Sequence, residues 1–183
     1  LIQNHNETLK KLFTDESIPI QLYEISNKIK ETFKSKGKVI FAGNGGSFAD
    51  CQHIAAEFVC KFKNDRIPLP AIVLGTNSSN LTAIGNDYSF NDIFSRELTA
   101  LGNKNDVLIA ITTSGNSQNI INLIERSISL GIPFYIFSGK TGGKLSMHKD
   151  LVVKVPSENT ANIQETHILL GHILCSSCEE EFI

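Results

Sequence analysis

Five short, predominantly apolar runs set the limits on how this chain folds: Val39–Ala42, Ala71–Leu74, Val107–Ile111, Phe134–Phe137 and Leu151–Val155. Each is strand-sized and lacks the polar alternation of a half-exposed strand, so each predicts a strand covered on both faces. Between them lie segments with apolar residues at helical spacing, such as Ile93, Phe94 and Leu98 within Asn91–Leu101, or Ile120, Ile121, Leu123, Ile124 and Ile128 before Gly131. That alternation predicts a parallel sheet with helices on both sides, and ligands in such sheets bind beyond the carboxyl ends of the strands. Two helices precede the first strand. His5–Thr14 is short and polar and breaks at Asp15; Ser17 caps the next, whose Ile18, Leu22, Ile25, Ile29 and Phe33 share a face up to Gly37. Ile67-Pro68-Leu69-Pro70 is a rigid connector. A polar loop at Thr76–Ser79 starts a helix over Leu81–Ile84, interrupted by Gly85-Asn86-Asp87, and Ala161–Glu181 is a long final helix. All 183 residues are expected to form one domain, with 1–36 a helical lead-in and 37–183 the α/β core.

The first strand empties into Gly43-Asn44-Gly45-Gly46-Ser47, and a helix begins at once. Glycines let the backbone approach a ligand closely, and free amides at a helix start favour an anion. Four residues apart on that helix, His53 and Glu57 face the same way, one a metal ligand or electrostatic partner and the other a candidate base. A second anion loop follows the third strand: Thr112, Thr113, Ser114 and Ser117 put hydroxyls beside another helix start. An ordinary capped helix would account for Ser117 alone; two such loops after two strands point to a ligand. Neither loop reads GxxxxGK[ST] or GxGxxG, which disfavours a triphosphate or dinucleotide. The final helix adds Gln164, Glu165, His167 and His172. Gln164 and His172 lie about 80° apart around that helix and Glu165 aligns better with His172, so spacing does not choose between the pairs.

With net charge −2, no global basic field invites nucleic acid or an acidic membrane, and no apolar run is long enough to cross one. No basic-then-apolar signal segment opens the sequence, so a cytoplasmic protein with reduced thiols is expected. Cys175-Ser-Ser-Cys178 has CxxC spacing, but it falls within a helix and has no second CxxC; it reads, with Cys51 and Cys60, as packing thiols.

The stretches AGNGGSFADCQHIAAEF, NDYSFNDIFSRE, TTSGNSQN and IQETHILLGH together resemble the phosphoheptose isomerases, within the sugar-isomerase (SIS) domain superfamily. The likeness spans nearly the whole chain. SGNS marks only the superfamily, whereas GNGGS with the His-x-x-x-Glu and Gln-x7-His pairs is more specific. It implies a three-layer α/β/α sandwich with a five-stranded parallel sheet of flavodoxin-like type, preceded by extra N-terminal helices. It implies an aldose-ketose isomerase that converts sedoheptulose 7-phosphate to D-glycero-D-manno-heptose 7-phosphate through an enediol, the first step toward ADP-heptose for lipopolysaccharide or lipooligosaccharide cores. By the same match Glu57 is the base and His172 the acid, and Asn44, Gly45, Gly46, Asn86, Asp87, Thr113, Ser114, Ser117 and Gln164 contact substrate. Ser47 and Thr112 help hold the phosphate, and zinc, one per subunit, is bound by His53, Glu57, Gln164 and His172. The resemblance also implies a homotetramer with sites at subunit interfaces. Thr112 replaces a serine, Ala161 an aspartate and Lys61 an arginine. A non-catalytic SIS protein that binds a sugar phosphate or a replication initiator is the competing reading, and an isomerase or etherase of another phosphosugar a third. Retention of Glu57, Gln164 and His172 argues against the non-catalytic reading, because a binding module needs no proton-transfer pair.

Overall fold

All five apolar runs become strands in the computed structural model of the chain, which describes residues 2–183. They are β1 (Val39–Gly43), β2 (Ala71–Val73), β3 (Val107–Ile111), β4 (Phe134–Ser138) and β5 (Val152–Lys154). Every pairing is parallel and the order is β2-β1-β3-β4-β5. Seven helices accompany them: α1 (Ile2–Thr14), α2 (Ser17–Lys34), α3 (Gly46–Val59), α4 (Ser78–Asp87), α5 (Ile93–Leu101), α6 (Gln118–Leu130) and α7 (Thr160–Glu179). The result is the expected three-layer α/β/α arrangement of flavodoxin-like strand order. No described helix is long and apolar enough to cross a membrane.

Alternation along the central strands divides the core in two. Val39, Phe41, Val107, Ile109 and Ile111 face α1, α2, α3 and α7; Ile40, Ala42, Leu108 and Ala110 face α5 and α6, with Leu81 and Ile84 of α4 packed alongside. The helix after β1 therefore leaves on one side of the sheet and the helix after β3 on the other. Because β1 and β3 are neighbours, with Gly43 opposite Ile111, their carboxyl ends diverge into a crevice. That is the topological switch point where such sheets bind ligands.

Local chemistry departs from expectation in four places. Ser17 does not cap α2 but is its first residue; the N-cap position is Glu16, which makes no side-chain capping bond, while Asp15 Oδ1 accepts both the Ser17 amide (3.0 Å) and the Ser17 hydroxyl (2.7 Å). The left-handed residue after α2 is Lys36 (φ 58°), and Gly37 is needed instead for clearance, since a Cβ there would overlap the Asn105 carbonyl. Gly85-Asn86-Asp87 does not interrupt α4, which Asn77 caps by accepting the Ser79 and Asn80 amides and which continues to Asp87. Gly85 faces open space there, so the expected break is only a propensity loss of about 1 kcal/mol relative to alanine. Gly143–Leu151 is a 3₁₀ segment that no hydrophobic period signalled.

His167, fully buried in α7, donates from Nε2 to the Ser138 carbonyl at the end of β4 (3.3 Å). Burial pushes its pKa down to about 4, against the partial opposition of that hydrogen bond. The unfolded chain, with an ordinary value of 6.5, binds the proton more readily, so this group's contribution is complete above pH 6.5 and is lost as pH falls toward 4. The shift corresponds to about 3 kcal/mol across that window. Ser138 also accepts the Val155 amide, so removing the imidazole leaves no orphaned carbonyl. A His167→Met variant is expected to show a flatter loss of stability between pH 6.5 and 4 in denaturant titrations; an unchanged slope would remove His167 as the cause.

Candidate active site

The Gly43–Ser47 turn works by close approach. Gly45 takes φ 57° and ψ −120°, and a Cβ at Gly46 would overlap the Gln164 amide, so that turn and α7 touch through a bare backbone. Ser47 is buried at the first turn of α3. Two turns on, His53 Nε2 lies 3.3 Å from Glu57 Oε1, as the four-residue spacing requires. The third member comes from α7: His172 Nε2 lies 3.4 Å from His53 Nε2, and one ligand atom from each of the three residues falls within 4.8 Å of the others.

Helix α7 reaches this position because of Gly171. A Cβ there would overlap Ile54 Cδ1 and Cγ1 on α3, so glycine permits an approach that any larger residue would block. Phe62 stacks on the His172 ring (centroids 5.2 Å, planes 27° apart), and His53 meets the same ring edge-on at 5.1 Å. Burial holds the His172 pKa below its ordinary value, His53 lowers it further and Glu57 opposes. The neutral ring is thus favoured, with one nitrogen carrying hydrogen and the other a free lone pair.

The far end of α3 is also pinned. Arg66 Nη2 donates to the Glu57 carbonyl and Nη1 to the Phe58 carbonyl, both at 2.8 Å. Its guanidinium is almost fully buried beside Glu179, Nε to Oε2 3.8 Å, and Glu179 accepts the Lys63 amide. None of this was legible from the motifs, because no periodicity links a loop arginine to a glutamate over a hundred residues later. Glu165, which aligned with His172 on a helical wheel, is excluded from the cluster: its Oε2 lies 3.0 Å from His5 Nδ1 on α1.

On the other side of the crevice, the loop after β3 turns through Gly115 (φ 66°), where a Cβ would overlap the Gly142 carbonyl. Thr112 is buried, and its hydroxyl accepts the Gly115 amide at 3.3 Å, so it supports the turn from beneath. Ser114 is exposed. Ser117 stands at the N-cap of α6 without a side-chain capping bond, so its hydroxyl is not occupied by the ordinary capping role. Thr113, Ser114 and Asn116 line a cavity of about 210 Å³ that Lys140, Thr141, Ser157 and Glu158 complete. Asn44 is tied to this loop's helix: it exchanges two 2.9 Å hydrogen bonds with Asn119, a residue the motifs did not single out.

Asn86 and Asp87 are not brought to the cluster. They are exposed at the end of α4, where Asn86 Nδ2 donates to Asp87 Oδ1 at 2.8 Å, and no described hydrogen bond joins them to either loop. The cysteines are free; Cys51, Cys175 and Cys178 are buried, and burial pushes all three thiols up, which suits packing and not redox chemistry.

The residues present fit a metal ion. Ligands at about 2.0–2.1 Å around tetrahedral zinc sit about 3.3–3.4 Å from one another, which matches the His53–Glu57 and His53–His172 separations of 3.3 and 3.4 Å. A shared cation would also reconcile two facing imidazole nitrogens, which otherwise require one donor and one acceptor. Gln164, the fourth expected ligand, has its amide against Gly46.

Comparison with known proteins identifies the family of the chain. A sequence profile of the SIS domain matches residues 2–138. The chain is 46% identical over 180 residues to a phosphoheptose isomerase of Clostridium acetobutylicum, covering 98% of this chain and 92% of that protein. It is 45% identical over 178 residues to one from Helicobacter pylori, covering 97% and 92%. The structure of a phosphoheptose isomerase from Francisella tularensis superposes with a TM-score of 0.88 at 36% identity, over 98% of this chain and 92% of that one. One from Neisseria gonorrhoeae superposes with a TM-score of 0.88 at 34% identity, over 97% and 94%. The chain therefore belongs to the phosphoheptose isomerase family of SIS-domain proteins and is a phosphosugar isomerase.

Proposed function

We propose that the substrate is sedoheptulose 7-phosphate and the product D-glycero-D-manno-heptose 7-phosphate, supplied to ADP-heptose synthesis for a lipopolysaccharide or lipooligosaccharide core. The observation that carries this reading is the meeting of His53, Glu57 and His172 across the α3–α7 contact, beside two loops that open onto the switch point. The substrate phosphate sits at the Thr112–Ser117 loop, where Thr113, Ser114 and Ser117 donate and Thr112 braces the turn; Ser47 does the same from the start of α3. Asn44, Gly45, Gly46 and Gln164 line the path of the carbon chain.

Glu57 takes a proton from C1 of the open-chain ketose and returns it at C2 of the enediol. His172 moves the accompanying proton between the oxygens on C1 and C2. A neutral imidazole suits that exchange, since it accepts at one nitrogen and donates at the other. Zinc, held by His53, Glu57, Gln164 and His172, would supply positive charge to polarise the sugar's carbonyl. Asn86 and Asp87, remote from the cluster in one chain, reach substrate in a neighbouring subunit of a homotetramer. Exposed Phe13, Ile20 and Tyr23 on α1 and α2 give such an assembly apolar surface to cover. Buried, unpaired thiols fit a reducing cytoplasm.

Replacing Glu57 with glutamine is expected to lower kcat about 10²–10⁴-fold, the usual contribution of a positioned acid–base group. Isomerisation at the parent rate would overturn the assignment of the base. A panel of ketose phosphates assayed with the same preparation checks the substrate, and preference for a hexose phosphate would displace the heptose.

The metal is testable without relying on turnover. Titration calorimetry on chelator-treated protein is expected to show one zinc bound per subunit, and His53→Ala to abolish it. Full activity after verified metal removal would show that catalysis does not need the ion.

A further inference from the structure

We propose that Asn119 is a positioning residue that, through Asn44, sets the distance between the two substrate-holding loops. Asn44 follows β1 and Asn119 lies in the first turn of α6, which follows β3. Their amides form a closed ring. Asn44 Nδ2 donates to Asn119 Oδ1 and Asn119 Nδ2 to Asn44 Oδ1, both at 2.9 Å. Each side chain thereby commits its acceptor and one of its two N–H groups. Asn119 is 2% exposed, so its amide group is removed from solvent and either bond would be expensive to leave unmade.

Location gives this pair its meaning. Strands β1 and β3 are adjacent and their helices depart to opposite faces of the sheet, so nothing in the sheet holds the two loops together beyond Gly43 and Ile111. The amide ring is the side-chain bridge across that gap. On one bank stands the turn that begins α3 and so fixes where Glu57 points. On the other stands the hydroxyl-rich loop that takes the phosphate in the function proposed above, on which this inference rests. A phosphosugar anchored at one bank must present C1 and C2 to the other, and the ring defines that span. Asn44 is accordingly committed to Asn119 through its oxygen and offers a ligand only its remaining N–H.

The bridge makes no contact with the phosphate loop's hydroxyls, so its loss should separate two quantities. Inorganic phosphate draws most of its donors from the Thr112–Ser117 bank, with Ser47 alone on the other; turnover needs the catalytic groups of both. In Asn119→Ala and in the uncharged, near-isosteric Asn119→Leu, kcat for the phosphosugar the parent turns over is expected to fall about tenfold or more, since small misplacements of reacting groups are costly. The inhibition constant for inorganic phosphate should change far less than kcat. Asn119→Leu keeps the side-chain volume without adding charge, and carries the test if the alanine variant does not fold. Parent-level kcat in a folded variant would overturn the proposal, as would phosphate inhibition weakening in step with kcat. Failure of both variants to fold would assign the pair to the fold and also overturn it. If the parent prefers another phosphosugar, the substrate reading fails while these comparisons still decide the role of Asn119.

Discussion

Helix α7 lies against α3 so closely at Gly171 that a single methyl group would overlap Ile54. The consequences spread outward from that contact. Helices usually pack with axes about 8–10 Å apart, set by the side chains between them, and a glycine at the crossing allows the near end of that range. His172 follows Gly171 directly, so the same approach that removes a side chain from the interface delivers the next one to the cluster. Further along, Arg66 and Glu179 hold the distal ends of the two helices in register, with the guanidinium bonded to the carbonyl of Glu57 itself. Packing and chemistry are thus one requirement here: an α7 displaced enough to accommodate a larger residue at 171 would also withdraw His172 from His53.

Two histidines on this helix show how environment divides like residues. His167 and His172 are five positions apart and therefore about 140° apart around the axis. One points into the layer beneath β4, loses its access to water and serves as a neutral donor to Ser138. The other is partly open, faces an imidazole and a carboxylate, and is stacked by Phe62. Burial favours the neutral form of both, yet only the second has a ring nitrogen directed at other ligating atoms.

Most of the scaffold was legible because it rests on local or periodic signals. The apolar runs gave the strands to within a residue or two, and the four-residue spacing of His53 and Glu57 already placed them on one face. What sequence could not show is whatever depends on clearance or distant pairing. Gly37 looked like a helix terminator but serves a close approach to Asn105 while Lys36 takes the left-handed turn. Gly85 looked like a break and is a tolerated helical residue because α4 is exposed and lightly packed. The choice between Gln164 and Glu165 was open on a helical wheel, and the 3.0 Å contact between Glu165 and His5 settles where Glu165 goes. Phe62, Arg66 and Glu179 have no motif of their own, and Asn119, though it ends the TTSGNSQN stretch, carried no role there; each matters through a partner brought near by the fold.

The bridge across the switch point carries no charge, and its chemistry explains why. An ion pair in that position would place a full cation or anion between the loop proposed to receive a phosphate and a helix that carries Glu57. A cation would draw the phosphate away from its hydroxyl and amide donors, and an anion would repel it. Burying such a pair would also require further hydrogen bonds to offset desolvation. Reciprocal amides provide two directional bonds, satisfy each other's acceptors and leave the local field to the helix termini. The bridge thus adds no charge to a crevice whose lining cation, Lys140, already pairs with Glu158 at 3.2 Å, in a chain whose net charge of −2 offers no general attraction for anions.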